Sequence, residues 1–231
     1  MHGNMMDSSL LIIDLLNHGR QRYPEQHVIS RRLEGDIHRS NYLEIWQRSA
    51  QLAHALEELG VKAGDCLATL AWNTHRHMEL YYAVSGLGAV LHTVNPRLFS
   101  EQIEYVINHA EDSYVFVDLS FVALLEPLAE RLKTVKGFVV MTDEAHMPET
   151  TLEPLFCFES LLDDQPIDFN WPRFEENTAA ALCYTSGTTG NPKGVLYSHR
   201  AMVLHAKASA SRELLDLTAD TVLLPMVAMY H

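Results

Sequence analysis

Tyr184-Thr185-Ser186-Gly187-Thr188-Thr189-Gly190-Asn191-Pro192-Lys193-Gly194 follows directly on the apolar run Ala179 to Tyr184. The three glycines let a backbone turn tightly and approach an anion, with N–H groups gathered as an anion nest. Ser186, Thr188 and Thr189 add hydroxyl donors, and Lys193 adds a compact positive charge. So many donors around one turn read as a phosphate-binding loop; a plain Gly/Ser/Thr surface loop is the bland alternative. The Walker A spacing is absent, because Lys193 follows Pro192 and precedes Gly194 instead of standing in Gly-Lys-Ser/Thr. The dinucleotide fingerprint is absent too, since Gly187-Thr188-Thr189-Gly190 lacks its G-x-G start.

Upstream of that loop, strand and helix signals alternate. Cys66 to Trp72, Val90 to Val94, Tyr114 to Val117, Phe138 to Met141 and Ala179 to Tyr184 read as short buried strands. Asn41 with Glu44 resembles a capping box, and Ile45, Trp46, Ser49, Leu52, Ala53, Leu56 and Leu59 recur at helical spacing until Gly60. Further helices are expected from His75 to Leu87, from a Ser100 cap onward with Ile103, Val106 and Ile107 inward, and from Phe121 to Leu132. Thr142 to Asn177, punctuated by Pro148, Pro154, Pro166 and Pro172, reads as a surface excursion with a short helix near Phe158 to Leu162. The expected fold class is α/β, a parallel-rich sheet flanked by helices on both faces, with ligand chemistry at the carboxyl ends of the strands.

Tyr184 to Gly194 resembles, at every position, the signature loop of the adenylate-forming superfamily of acyl-CoA synthetases, luciferases and peptide-synthetase adenylation domains. Gly88-Ala89-Val90, Asn95-Pro96-Arg97-Leu98 and Tyr197-Ser198-His199-Arg200 are similar to that family as well, and Leu91 to Arg97 looks closest to bacterial medium- and long-chain fatty-acid ligases. The resemblance implies a two-step reaction. A carboxylate attacks the α-phosphate of ATP to give an acyl-adenylate and pyrophosphate, and the thiol of coenzyme A then displaces AMP. By the same resemblance Ser186, Gly187, Thr188, Thr189 and Gly190 would wrap the β- and γ-phosphates. Lys193 would charge-balance the leaving group as a catalytic residue, and Thr185 would lie nearest a Mg²⁺. Val222 to His231 resembles the next motif, a strand running into P-M-F-H, with Tyr230 where Phe is usual and His231 near the reacting carboxylate. The resemblance further implies that residues 1–231 are part of the large amino-terminal domain, the rest of it and a small mobile domain lying beyond, and that the chain alone is inactive. A ligase for an aryl or short-chain acid, and a non-catalytic nucleotide-phosphate-binding or dimerising fragment, stay open as alternatives.

Composition narrows the classes. With 17 basic and 30 acidic side chains the formal net charge is −13, which argues against broad nucleic-acid binding and against adhesion to anionic membranes. A hydrophobic fraction of 47% is that of a globular chain. The start, from Met5 through Leu10 to Leu16, has no basic region and is broken by Asp14, so it is not read as a signal peptide, and no run is long enough to span a bilayer. Cys66, Cys157 and Cys183 are an odd, scattered set that suits a reducing, cytoplasmic setting. The apolar stripe Leu10 to Leu16, with Arg200, is the expected surface of a homodimer. Among the 13 histidines, His75-x-His77 is the tightest pair, read as surface or helix-cap residues and not as a metal site. Cys183 reads as an inert buried thiol, Trp46, Tyr81, Tyr82 and Phe99 as core, and Glu111-Asp112 and Asp163-Asp164 as solvated loop charges. Arg200 is expected either to find an acidic partner or to be a plain surface arginine.

Overall fold

The sheet is built from strands whose residues alternate between two buried faces. The computed structural model describes residues 4, 5, 7–185 and 191–230. In chain order the elements are α1 (Ile12–Arg22), β1 (His27–Arg31), β2 (Ile37–Asn41), α2 (Tyr42–Glu58), β3 (Cys66–Leu70), α3 (His75–Gly86) and β4 (Val90–Thr93). There follow α4 (Ser100–Ala110), β5 (Tyr114–Val117), α5 (Val122–Leu125), β6 (Phe138–Val140), β7 (Leu155–Cys157), α6 (Phe158–Leu162), β8 (Ala179–Thr185), β9 (Lys193–Ser198) and α7 (His199–Ala210). Seven strands form one sheet in the order β7-β6-β5-β3-β4-β8-β9, parallel throughout except for β9, which runs antiparallel to β8. The parallel-rich α/β expectation therefore holds, and each of the five expected strands is present to within two residues of its expected end.

Period-two alternation divides the core. Leu67, Leu91, Phe116 and Val139 face Leu52 and Leu56 of α2, Leu80 and Val84 of α3, and Phe158 of α6. Ala68, Leu70, Val115, Val117 and Val140 face Ile103, Val106 and Ile107 of α4 and Val122 and Leu125 of α5. Helices thus cover both faces, as buried parallel strands require. Asn41 caps α2 by accepting from the backbone N–H of Glu44 at 2.9 Å. The Glu44 carboxylate returns only to the Asn41 side-chain amide, at 3.3 Å.

Several expectations are corrected. Ser100 is the first helical residue of α4 and Phe99 the residue before it; the Gln102 side chain accepts from the Phe99 N–H at 3.2 Å, and Phe99 itself is exposed, not core. The expected helix Phe121 to Leu132 is broken into the 3₁₀ turn Leu119–Phe121, the short α5 and the 3₁₀ turn Ala129–Arg131, because Pro127 cannot donate in a continuous helix. The excursion Thr142 to Asn177 does contain its short helix α6, but it also supplies the edge strand β7. No strand forms over residues 221–226, where Val222, Leu223, Leu224 and Met226 are exposed. Leu10 to Leu16 is not a free stripe: Leu11, Ile13 and Leu16 are buried against Ile45 and Trp46, and Ile12 against Ala180 and Val203. Arg200 is paired within the chain to Glu176, and Asp14 to Arg173 at 2.7 Å. Among the described residues no helix is long and apolar enough to cross a membrane.

Candidate functional site

β8 lies between β4 and β9 and carries its last residues, Tyr184 and Thr185, to the carboxyl edge of the parallel strands. β9 returns beside it, so that Thr185 pairs with Lys193 and Tyr184 with Gly194 across the ladder. The Thr185 hydroxyl donates to the Lys193 carbonyl at 3.4 Å, and both residues are exposed. The structure thus brings together the two outer members of the expected phosphate loop. Ser186, Gly187, Thr188, Thr189, Gly190 and His231 lie outside the described residues.

Tyr184 is the fixed post from which the loop departs. Its ring lies over Gly194, where an added Cβ would meet Tyr184 at 3.2 Å and Leu182 at 3.1 Å, so a side chain there would push the strand ends apart. Its hydroxyl pairs with Nδ1 of His109 on α4 at 2.6 Å. Burial, helped by the negative Asp112, pushes the Tyr184 phenol up to about 12. Next to the Tyr184 ring, at a centroid distance of 5.0 Å, stands His92 of β4, whose Nδ1 meets Asp112 at 2.6 Å. Both members of that pair are fully buried, so Asp112 is not the solvated loop charge expected of it, and burial raises its carboxyl pKa. His92 and His109 escaped the sequence reading as members of this cluster, and Asp112 was read only as a loop charge. The available signal was His92 itself, a polar residue inside the apolar run Val90 to Val94, which demands a partner when buried. Cys183 meets the Thr93 hydroxyl at 3.3 Å, and burial pushes its thiol up, in keeping with an unreactive sulfur.

A second wall faces the carboxyl end of β3. Asn73, in the β3–α3 turn, donates to the carbonyls of Pro225 (3.2 Å) and Val227 (2.8 Å) and accepts from the N–H of Met229 at 2.8 Å. Tyr81 of α3 donates to the Met229 carbonyl at 2.9 Å. Beside them Met78, Tyr81, Tyr82, Met202 and Met229 line an open apolar pocket of about 310 Å³. Tyr81 and Tyr82 are partly buried and pack against the core, as expected, and Tyr230 is buried at the end of this segment.

The histidine pair His75-x-His77 is buried, contrary to its surface reading. His77 Nδ1 donates to the Trp72 carbonyl at 3.1 Å, which leaves Nε2 to accept from the Thr69 hydroxyl at 3.1 Å; the ring is neutral, and burial holds its pKa down to about 4. His75 stacks on His38 at 3.8 Å and meets the Ser30 hydroxyl at 2.7 Å. Among the described residues no three His, Cys, Asp or Glu side chains gather where they could hold a metal ion. Thr185 offers one hard oxygen whose proton is directed at Lys193 O, leaving lone pairs for a cation. That single donor fits a Mg²⁺ held chiefly by phosphate oxygens and water, and does not fit an ion caged by protein.

Comparison with known proteins places this arrangement. A family model described as AMP-binding enzyme matches residues 16–231. The chain is 45% identical over its whole length to a medium-chain-fatty-acid–CoA ligase of Ectopseudomonas oleovorans, spanning 42% of that protein. It is 44% identical over its whole length to a 3-methylmercaptopropionyl-CoA ligase of Ruegeria lacuscaerulensis, spanning 43% of it. A long-chain-fatty-acid–CoA ligase of Thermus thermophilus is 43% identical over 98% of the chain, which spans 40% of that relative. The chain therefore covers less than half the length of these curated relatives. In fold it is similar to a solved putative long-chain-fatty-acid CoA ligase from Rhodopseudomonas palustris (TM-score 0.81, 24% identity, 96% of this chain and 52% of that one). A long-chain-fatty-acid-CoA ligase from Archaeoglobus fulgidus is similar too (TM-score 0.75, 22% identity, 87% and 39%). The antiparallel pair β8–β9 at the edge of a parallel sheet and a family match over 16–231 lead to one conclusion: the chain belongs to the AMP-binding enzyme family.

Proposed function

We propose that this chain is part of the large amino-terminal domain of an ATP-dependent fatty-acid–CoA ligase, and that residues 1–231 alone do not complete the reaction. The observation that carries the reading is the Tyr184–Gly194 segment, rooted on β8 with Lys193 opposite Thr185 at the carboxyl edge. The chemistry demands such a place. An anionic carboxylate must approach a polyanion, so preorganised donors must offset phosphate charge before pyrophosphate leaves. Backbone N–H groups and hydroxyls from Ser186 to Gly190 would hold the β- and γ-phosphates. Lys193 would offset the charge that develops on the departing pyrophosphate, and the Thr185 oxygen would stand nearest the metal. Bound Mg²⁺ would supply further charge neutralisation to the phosphate oxygens. His231, following the buried Tyr230, would stand on the acid side of the site. Coenzyme A would enter in the second step, its thiol displacing AMP.

The acid itself is open between two readings, because relatives of almost equal identity carry different substrates in their names. Pyrophosphate exchange decides it. The complete protein encoded with this chain, supplied with ATP, Mg²⁺ and one acid at a time, is expected to exchange best with fatty acids. Preference for 3-methylmercaptopropionate, a short-chain or an aryl acid would move the assignment to another acyl-CoA ligase. Saturable exchange by residues 1–231 alone would refute the placement of the chemistry.

A further inference from the structure

Among the described residues, Asn73 is the one side chain that ties three backbone groups of the Pro225–Met229 segment to the sheet. Two of those groups are carbonyls and one is an N–H. Only a carboxamide can serve that set: a carboxylate would face two carbonyls without protons to give, and a hydroxyl is too short in donors. The platform beneath it is rigid on both sides. The Trp72 N–H donates to Asp118 at 2.6 Å, and Thr74 caps α3 by accepting from the His77 N–H at 3.4 Å. Residues 221–226 form no element of their own, so these contacts and the Tyr81–Met229 bond contribute to orienting the segment. Met229 lines the apolar pocket, and Tyr230, the last described residue, is buried next to it in the chain.

We infer that Asn73 is a positioning residue for the acid half of the site: by holding Pro225, Val227 and Met229 it sets Met229 and the adjoining Tyr230 against the acyl group. The inference rests on the proposed function above. It assigns Asn73 no contact with ATP, since among the described residues its side-chain hydrogen bonds go to Pro225, Val227 and Met229. Tyr81 acts with it through Met229.

The test compares Asn73→Ala, Asn73→Asp and Tyr81→Phe in the complete ligase, reading KM for the acid, KM for ATP and the melting temperature separately. Asn73→Ala is expected to raise KM for the acid about tenfold, the equivalent of one net hydrogen bond, with KM for ATP unchanged within about twofold. Asn73→Asp, which keeps only the acceptor for Met229 N–H, should fall no nearer to wild type than Asn73→Ala. Tyr81→Phe, an isosteric loss of one bond, should shift the acid KM alone and by less. Amide exchange at Met229 should speed up in Asn73→Ala. Should Asn73→Ala not fold, Tyr81→Phe and Met229 exchange carry the decision. Equal changes in both KM values, or a lowered melting temperature with both KM values unchanged, overturn the inference. A wild-type ligase that shows no acid-dependent exchange overturns the proposed function, and this inference with it.

Discussion

Lys193 sits at the start of β9, exposed, opposite Thr185, and it touches no core. Lys193→Ala should therefore leave the fold intact while lowering adenylation roughly a hundredfold, about 3 kcal/mol of lost charge stabilisation as pyrophosphate departs. Exchange kinetics with circular dichroism as the folding control check this; near-normal turnover in a folded variant would remove the loop from the chemistry. His77 gives a prediction of a different kind. Its pKa, ordinarily 6.5, is held to about 4 by burial, so between those values the unfolded chain binds a proton that the folded chain refuses. Its contribution to stability is complete above pH 6.5 and is lost as the pH falls toward 4. Asp118 works in the opposite sense, since burial lifts it from 3.8 to about 7 and its contribution is lost as the pH rises through 7. His77→Gln isolates the histidine: its unfolding free energy should fall less steeply on acidification than that of wild type, by up to about 1.4 kcal/mol per pH unit between 6.5 and 4. Parallel slopes would mean that His77 is protonated in the fold. At this scale the sequence was a partial guide. Lys193 stood out as a lone charge in the glycine-rich turn, while Thr185 was singled out only through the family resemblance. The burial of His75, His77 and Asp112 was not legible, because what buries them is a partner far along the chain or across a strand: Ser30 for His75, Thr69 for His77, His92 for Asp112.

Elements were legible where apolar period and length agreed. β3, β4, β5, β6 and β8 are continuous apolar runs and were found. β1 and β2 are not, since His27–Arg31 and Ile37–Asn41 mix polar and charged residues with at most two adjacent apolar ones on a largely exposed hairpin. β7 has only three residues and follows Pro154, and β9 begins inside the glycine-rich motif, where turn chemistry masks a strand. The close packing of α3 gives a prediction at this scale. Gly86 ends α3 beneath the Trp171 ring, and an added Cβ would lie 2.5 Å from a ring carbon. Helix propensity alone would favour Gly86→Ala by about 1 kcal/mol. The clash is larger, because the ring is itself wedged by Phe169 at 4.8 Å and Trp46 at 5.8 Å, and overpacking costs about 1–3 kcal/mol. Gly86→Ala should melt lower than wild type; a higher melting temperature would show that Trp171 swings away at little cost.

For the molecule as a whole, the amino-terminal helix is packed into the core of its own chain. Leu16 is buried against the α2 residues Ile45 and Trp46, and the Ile12 N–H reaches Nδ1 of His199 at 3.1 Å. Leu16→Ala should cost about 2–5 kcal/mol in chemical denaturation and leave the sedimentation coefficient of the folded protein unchanged. A variant of full stability that changes its association state would restore the dimer surface that the apolar stripe first suggested.

The strand order has a consequence in time. β3 finds β4 and β5 within a few dozen residues, whereas β8 must close a loop of about ninety residues to pair Leu91 with Ala181. The His199 contact to Ile12 spans a longer gap still, 187 residues. Non-local pairings of this kind form slowly, after local ones have provided a surface to receive them. Pulse-labelled amide exchange during refolding should protect β3, β4 and β5 before β8 and β9. The segment proposed to receive phosphate is then among the last to be assembled, on a platform already in place, and a chain stalled midway would own a half-built sheet with the unpaired edge of β4 open to any other strand.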